Sequence, residues 1–262
     1  STSLSSLSSW IPICDKSKLK ENLQKDYPTF DFSDEKLLNQ GLCLLHDWGE
    51  CVYFSQPESL SNLIVVDPKF LTKGILADLF KSESNIASKR ENGIIKHSDL
   101  SLIWTQFKES SFYFSNFIEI LGEFGVCFVV NQDKGKPFND QKSIIPSLLP
   151  NKSIHDKEFE KKWPRTKSYD QPIELERIFK FNPIVPDELV SRLLVLIHPL
   201  IQDELVWKND VVIFNEGENI QSYIRVEHQL SRFIITIRGP KHQKCLEFLK
   251  WIRSQFDQVI EK

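Results

Sequence analysis

The chain lacks a Gly-x-x-x-x-Gly-Lys-Ser/Thr loop, so it cannot cradle a nucleoside triphosphate by that route. No apolar run approaches the roughly 20 residues that span a bilayer, and no stable membrane insertion is expected. The Ser-rich start has neither a basic region nor a long apolar stretch, which argues against a signal peptide. Excess charge of one sign is also missing. A net charge of -3 and a pI near 6.1 argue against a general nucleic-acid or acidic-membrane binder. The five cysteines, Cys14, Cys43, Cys51, Cys127 and Cys245, are odd in number and scattered. They suggest no disulfide framework and fit a reducing, cytoplasmic setting. The first residue is Ser1 rather than Met, so the chain reads as a piece of something longer.

What is present is enough for two ordinary cores: 262 residues, 40% apolar, with 19 Phe and 6 Trp. Residues 1–32 read as an N-terminal tail. It comprises a Ser/Leu/Thr tract over 1–9, apolar Trp10, Ile11 and Ile13 that can dock, and a weak helix over 16–25. Residues 33–150 read as a first subdomain. Ser33 is the expected helix N-cap, and Leu37, Leu38, Gly41, Leu42 and Leu45 share one helical face. Gly41 on that face suggests a close helix approach, and Gly49 a left-handed cap. Strands follow over 51–55 and 63–66, a helix over 68–81, a strand over 94–96, and helices over 98–108 and 113–124. Strands over 126–130 and 142–146 flank a hairpin tip at 131–139. Small helices between short strands predict an α+β, winged-helix-like subdomain.

Residues 151–172 are charged and end in Pro172, and read as a linker. Residues 173–262 predict an antiparallel sheet with flanking helices. A strand over 175–181 and a helix over 186–200 precede strands at 205–207, 211–214, 222–228 and 233–238, and a helix over 241–260 closes the chain.

Reactive chemistry is sparse. Cys43, His46 and Cys51 have metal-binding residue types but no fourth ligand nearby, so they read as packing and helix-end residues. Cys127 sits in a buried strand and Cys245 on an apolar helix stripe, neither of them placed as a nucleophile. Gly239-Pro240-Lys241 reads as a strand-to-helix turn rather than a phosphate site. The helix from Lys69 to Lys81 is largely apolar, unlike a DNA recognition helix. The cluster Lys161 to Lys167 reads as solvated linker. On the last helix, Cys245, Leu249, Ile252, Phe256 and Val259 form one stripe. Phe248 and Trp251 lie about 60° and 120° from its middle at 100° per residue, which widens the apolar surface towards a partner.

Leu45, His46, Gly49 and Phe54, followed by Asp67, Pro68, Phe70 and Leu71, resemble a motif pair of the COR region of Roco proteins, the segment that follows their Roc GTPase domain. Pro186, Ser191, Arg192 and Leu193 resemble a second motif, with Glu188 in place of its Gly. Trp207 with Lys208 and Asp210 resembles a Trp-Arg-x-Gly strand turn. The resemblance implies a non-catalytic module without cofactor or metal, in a cytoplasmic signalling protein whose parent is a GTPase and could also be a kinase. It implies packing against the Roc domain and homodimerisation through the C-terminal subdomain. The interface residues it suggests, together with the closing helix, are Ile184, Val185, Pro186, Arg192, Trp207, Phe248 and Trp251. The rival reading is a winged-helix nucleic-acid binder, which salt-dependent binding of nucleic acid would mark.

Overall fold

The computed structural model describes residues 11–81, 92–130, 133, 135–152, 157–164, 172–186 and 188–260. The 1–9 tract, Trp10, part of the 131–139 tip and the basic residues Arg165 and Lys167 lie outside the described residues. The fold is mixed α+β, with helices interspersed among three antiparallel sheets. By compactness the chain forms two units, residues 1–88 with 99–120 and residues 89–98 with 121–262.

In the first unit, β1 (Ile13–Asp15) leads into α1 (Lys16–Asp26) and α2 (Glu35–Asp47), followed by β2 (Val52–Tyr53) and β3 (Leu63–Val65). The sheet order is β1-β3-β2. The strand β1 escapes sequence reading because three residues are too few to display an alternation. Its register comes from its neighbour, with Ile13 opposite Val65 and Cys14 opposite Ile64. Asp34, not the expected Ser33, caps α2: its carboxylate accepts from the Lys36 and Leu37 N–H groups at 2.9 and 3.2 Å. A carboxylate there also complements the positive end of the helix. Gly49, at φ +76°, ends the helix, donating to the His46 carbonyl at 2.9 Å.

Two expectations for α2 change. Among the described residues nothing lies within 4 Å of a Cβ added at Gly41, and no helix approaches there. Of the expected apolar face, Leu42 and half-buried Leu38 pack with Cys51, Tyr53 and Ile64. Leu37, Leu44, Leu45 and the following Trp48 are exposed.

The helix expected over 68–81 runs as Pro68–Phe70, a π-helical stretch Leu71–Leu76, and Ala77–Leu79. Gly74 in the wide turn lets Phe107 close in; a Cβ would lie 3.2 Å from that ring. The Ile75 carbonyl accepts the indole N–H of fully buried Trp104 at 3.1 Å. Trp104 leaves helical geometry (φ -96°, ψ 52°), which breaks the helix expected over 98–108 into Leu100–Ile103 and a 3-10 stretch, Thr105–Tyr113. It meets Phe114 and Phe117 of α3 (Phe114–Glu123) edge to face at 5.2 and 5.6 Å. The division between the units falls inside α3.

In the second unit, β4 (Ile94–Lys96), β5 (Phe128–Val129) and β6 (Lys142–Ile144) form a sheet of order β4-β6-β5. His97, which follows β4, is buried against Phe138, with Nε2 2.8 Å from the Ser143 Oγ. After α4 (Lys157–Lys162) come β7 (Ile173–Lys180), α5 (Glu188–Ile197), β8 (Ile201–Val206), β9 (Asp210–Asn215), β10 (Ile220–Glu227), β11 (Arg232–Gly239) and α6 (His242–Ile260). The five strands pair antiparallel in the order β7-β11-β10-β9-β8.

Side chains alternate across this sheet. Ile224, Val211 and Ile235 share one core with Leu189 and Leu193 of α5 and Ile252 and Phe256 of α6. Tyr223 and Val212, one residue out of phase, face the other way into a separate cluster with Trp163, Leu205 and Trp207. Gly239 permits the turn into α6: a Cβ would sit 2.6 Å from the Cys245 Sγ. Phe128, Val130, Ile144 and Leu149, from the end of the expected first subdomain, belong to the same core as α5. The expected linker is also partly packed, with Trp163 buried and Phe159 against it. Lys157, Glu160, Lys161 and Lys162 stay exposed while two aromatics dock.

Candidate interaction surfaces

The sequence motifs turn out to tie elements together. His46 accepts the Tyr53 backbone N–H at 3.4 Å and lies 5.5 Å from the Phe54 ring, fastening the end of α2 to β2. Asp67 accepts from the Lys69 N–H at 3.0 Å with Pro68 in the first turn, and so starts the next helix. Phe70 then meets Phe107 and Phe117 at 5.2 and 5.7 Å. These residues position backbone; none is placed to do chemistry.

The corner between β7 and α5 is fixed from both sides. Phe181 N–H donates to the Ser231 carbonyl at 2.9 Å, and the Ser231 hydroxyl donates to the Pro183 carbonyl at 2.6 Å. On this corner Ile184 is 66% exposed, and Pro186 and Arg192 are exposed as well. Val185 is a correction: it is 1% exposed and packs into the core with Leu189 and Val190. An apolar side chain held in the open by a braced backbone is suited to contact another surface.

A second candidate lies along α6. Trp251 is 39% exposed and stacks parallel to Phe248 at 5.9 Å. They line a groove of about 400 Å³ with Leu200, Ile220, Glu218 and Lys244. Lys244 bridges Glu218 at 3.2 Å and Glu247 at 3.5 Å on the rim. The hydrogen bond and charge of Glu218 raise the Lys244 pKa. Phe248 is buried and belongs to the core, so only Trp251 offers area to a partner. Trp207 is likewise buried, in the cluster with Trp163, Leu205 and Tyr223, rather than placed on a surface.

The remaining chemistry is silent. Cys51 is buried beside Leu42, and among the described residues no group of three or more His, Cys, Asp or Glu can hold a metal. Burial pushes the Cys127 thiol up to about 12, far from a reactive thiolate. Leu71, Ile75 and Leu79 are buried, so the stretch weighed as a recognition helix is a core element. Among the described residues no helix is long and apolar enough to cross a membrane. Sequence reasoning missed the exposed face of α2 and the docking of Phe159 and Trp163. The second carried a signal, two aromatics four apart in a charged stretch.

Residues 15–149 match the family described as C-terminal of Roc, COR-A domain, and residues 173–262 match C-terminal of Roc, COR-B domain. The chain is 26% identical over 236 residues to the probable serine/threonine-protein kinase pats1 of Dictyostelium discoideum, a match covering 87% of this chain and 7% of that protein. It is 29% identical over 179 residues to the probable serine/threonine-protein kinase qkgA of the same organism, covering 64% and 10%. A Roc-COR-CHAT protease of Runella zeae is 25% identical over 207 residues, covering 78% and 19%. The chain thus spans less than a fifth of the length of each of these relatives.

Proposed function

Because this chain belongs to the COR family and carries the COR-A and COR-B domains of the Roc-COR module, we propose that it is the part of a longer Roco protein that dimerises and couples to an adjacent Roc GTPase domain. The segment itself is non-catalytic. Its functional subdomains are residues 33–150 and 173–262, preceded by 1–32 and joined through 151–172. The C-terminal subdomain self-associates through the Trp251 groove, and the Ile184 corner receives the GTPase domain. Five free cysteines suit a cytoplasmic setting.

One observation carries the coupling reading. The helix α5, which the exposed corner opens, lies in a single core with both the COR-B sheet and residues Phe128, Val130, Ile144 and Leu149 of the COR-A match. A close-packed core transmits displacement rather than absorbing it. A partner pressing on Ile184 therefore acts on both halves, and nucleotide state in the GTPase biases the packing it touches. Dimerisation then feeds back on turnover by the same linkage.

The test is Ile184→Asp in a longer protein that includes the GTPase domain. A changed rate of GTP turnover is expected, with the thermal stability of the present chain unaltered. An equal loss of stability in both proteins would make Ile184 a core residue and end this reading.

A further inference from the structure

The outer face of the five-stranded sheet, opposite α5 and α6, is covered by residues 150–152 and 157–164. The Pro150 carbonyl accepts the Lys208 N–H at 2.9 Å. The Lys152 ammonium lies 3.9 Å from the Phe159 ring centre and 4.3 Å from that of Tyr223, with Trp207 at 5.9 Å. It bridges Asp210 at 3.1 Å and donates to the Tyr223 hydroxyl, which donates in turn to Asp210. At the far end Trp163 is buried under Arg238, whose guanidinium sits 4.2 Å from the indole. Arg238 also donates to the Pro164 carbonyl at 2.6 Å and to Glu174 at 2.8 Å.

The Phe159 and Trp163 rings also pack on Tyr223 at 4.9 and 5.6 Å, and the Lys162 ammonium lies 5.8 Å from the Phe214 ring. The helix α4 has six residues, too short to persist without tertiary contacts. Lys157, Glu160, Lys161 and Lys162 are exposed. The cation in its cage is therefore a fastening. A desolvated ammonium over aromatic faces gains more than one in water, and its loss leaves the Asp210 carboxylate without its counter-charge.

We propose that residues 150–152 and 157–164 form a latched strap, held on the outer sheet face by Lys152 in its cage of Phe159, Tyr223 and Asp210. Release of the strap uncovers an apolar face lined by Leu205, Trp207 and Val212. Residues 150–152 and 157–164, between the COR-A and COR-B matches, then have a docked and a released state. This goes beyond the coupling reading and does not depend on it, because every contact involved lies in the C-terminal compact unit.

Hydrogen exchange read by mass spectrometry on the whole chain tests the latch, with Lys152→Met and Asp210→Asn as variants. In Lys152→Met the amides of 157–164 should exchange about tenfold faster, while β10 and β11 keep their wild-type protection. Asp210→Asn should accelerate the same amides by a smaller factor. Unchanged exchange in Lys152→Met would overturn the latch. So would acceleration spread equally through β7, β10 and β11 in both variants, because Lys152 and Asp210 would then hold the sheet itself.

Discussion

The two compact units close their cores differently. The first relies on strands of two or three residues and on a cluster of rings around Trp104 and Phe117. It leaves Tyr27, Phe30, Leu37, Leu44, Leu45 and Trp48 exposed along and beside α2. The second pairs strands of up to eight residues and covers both faces of its larger sheet, one with helices and one with the Lys152 strap. The second unit covers its larger sheet with its own residues and exposes separate apolar side chains such as Ile184 and Trp251. The first carries an apolar helix face that its described residues leave open.

That contrast can be broken most severely at Phe256. It is fully buried, with Phe179 and Phe233 at 4.4 and 4.5 Å. Phe256→Ala should cost about 3–5 kcal/mol in denaturant unfolding. A loss below about 1 kcal/mol would mean that the second core is looser than described.

The next effect is a pH dependence. Burial lowers the His97 pKa from 6.5 to about 4, against a smaller opposing pull from the Phe138 backbone and Asp133. The folded state thus favours the neutral ring. The associated stability is present above pH 6.5 and drains as pH falls towards 4, because the unfolded chain binds the proton first. Up to about 3 kcal/mol should be lost across that window. His97→Gln should flatten this part of the curve; an unchanged slope would remove His97 as its source.

The smallest effect sharpens the comparison. Trp48 is 66% exposed, so Trp48→Glu should alter stability by no more than about 0.5 kcal/mol. A loss of about 2 kcal/mol or more would show that the α2 face is covered and that the contrast between the units fails.

The closing helix was the most legible element. Nineteen residues with a 3.6-residue period bury Cys245, Ile252, Phe256 and Val259 as the spacing requires, with Leu249 against them. The same angles explain the two aromatics beside the stripe. Phe248, about 60° off its middle, reaches the core, while Trp251, about 120° off, does not. The strands over 173–239 were legible from their turn residues, although each begins earlier than expected, β8 at Ile201 rather than Leu205. Less could be read where periodicity was short or misleading. β1 has three residues and takes its register from β3. The leucines of α2 have helical spacing, yet among the described residues little covers Leu37, Leu44 and Leu45. Trp207 resembled part of a strand turn and was expected at an interface, yet an aromatic directly after a strand faces whichever side the rest of the chain fills. Here Trp163 fills it, from a segment whose charges hid two anchors.

We propose Trp251 as the anchor of a self-association surface. Light scattering of the chain over rising concentration tests it directly, with Trp251→Ala alongside and circular dichroism confirming that both are folded. The mass should rise from 30.6 kDa towards twice that value, and the dimer should be weakened by about 2 kcal/mol, roughly thirtyfold in affinity, in Trp251→Ala. A mass that stays at 30.6 kDa at the highest concentration, or a variant that associates as the wild type does, would contradict it.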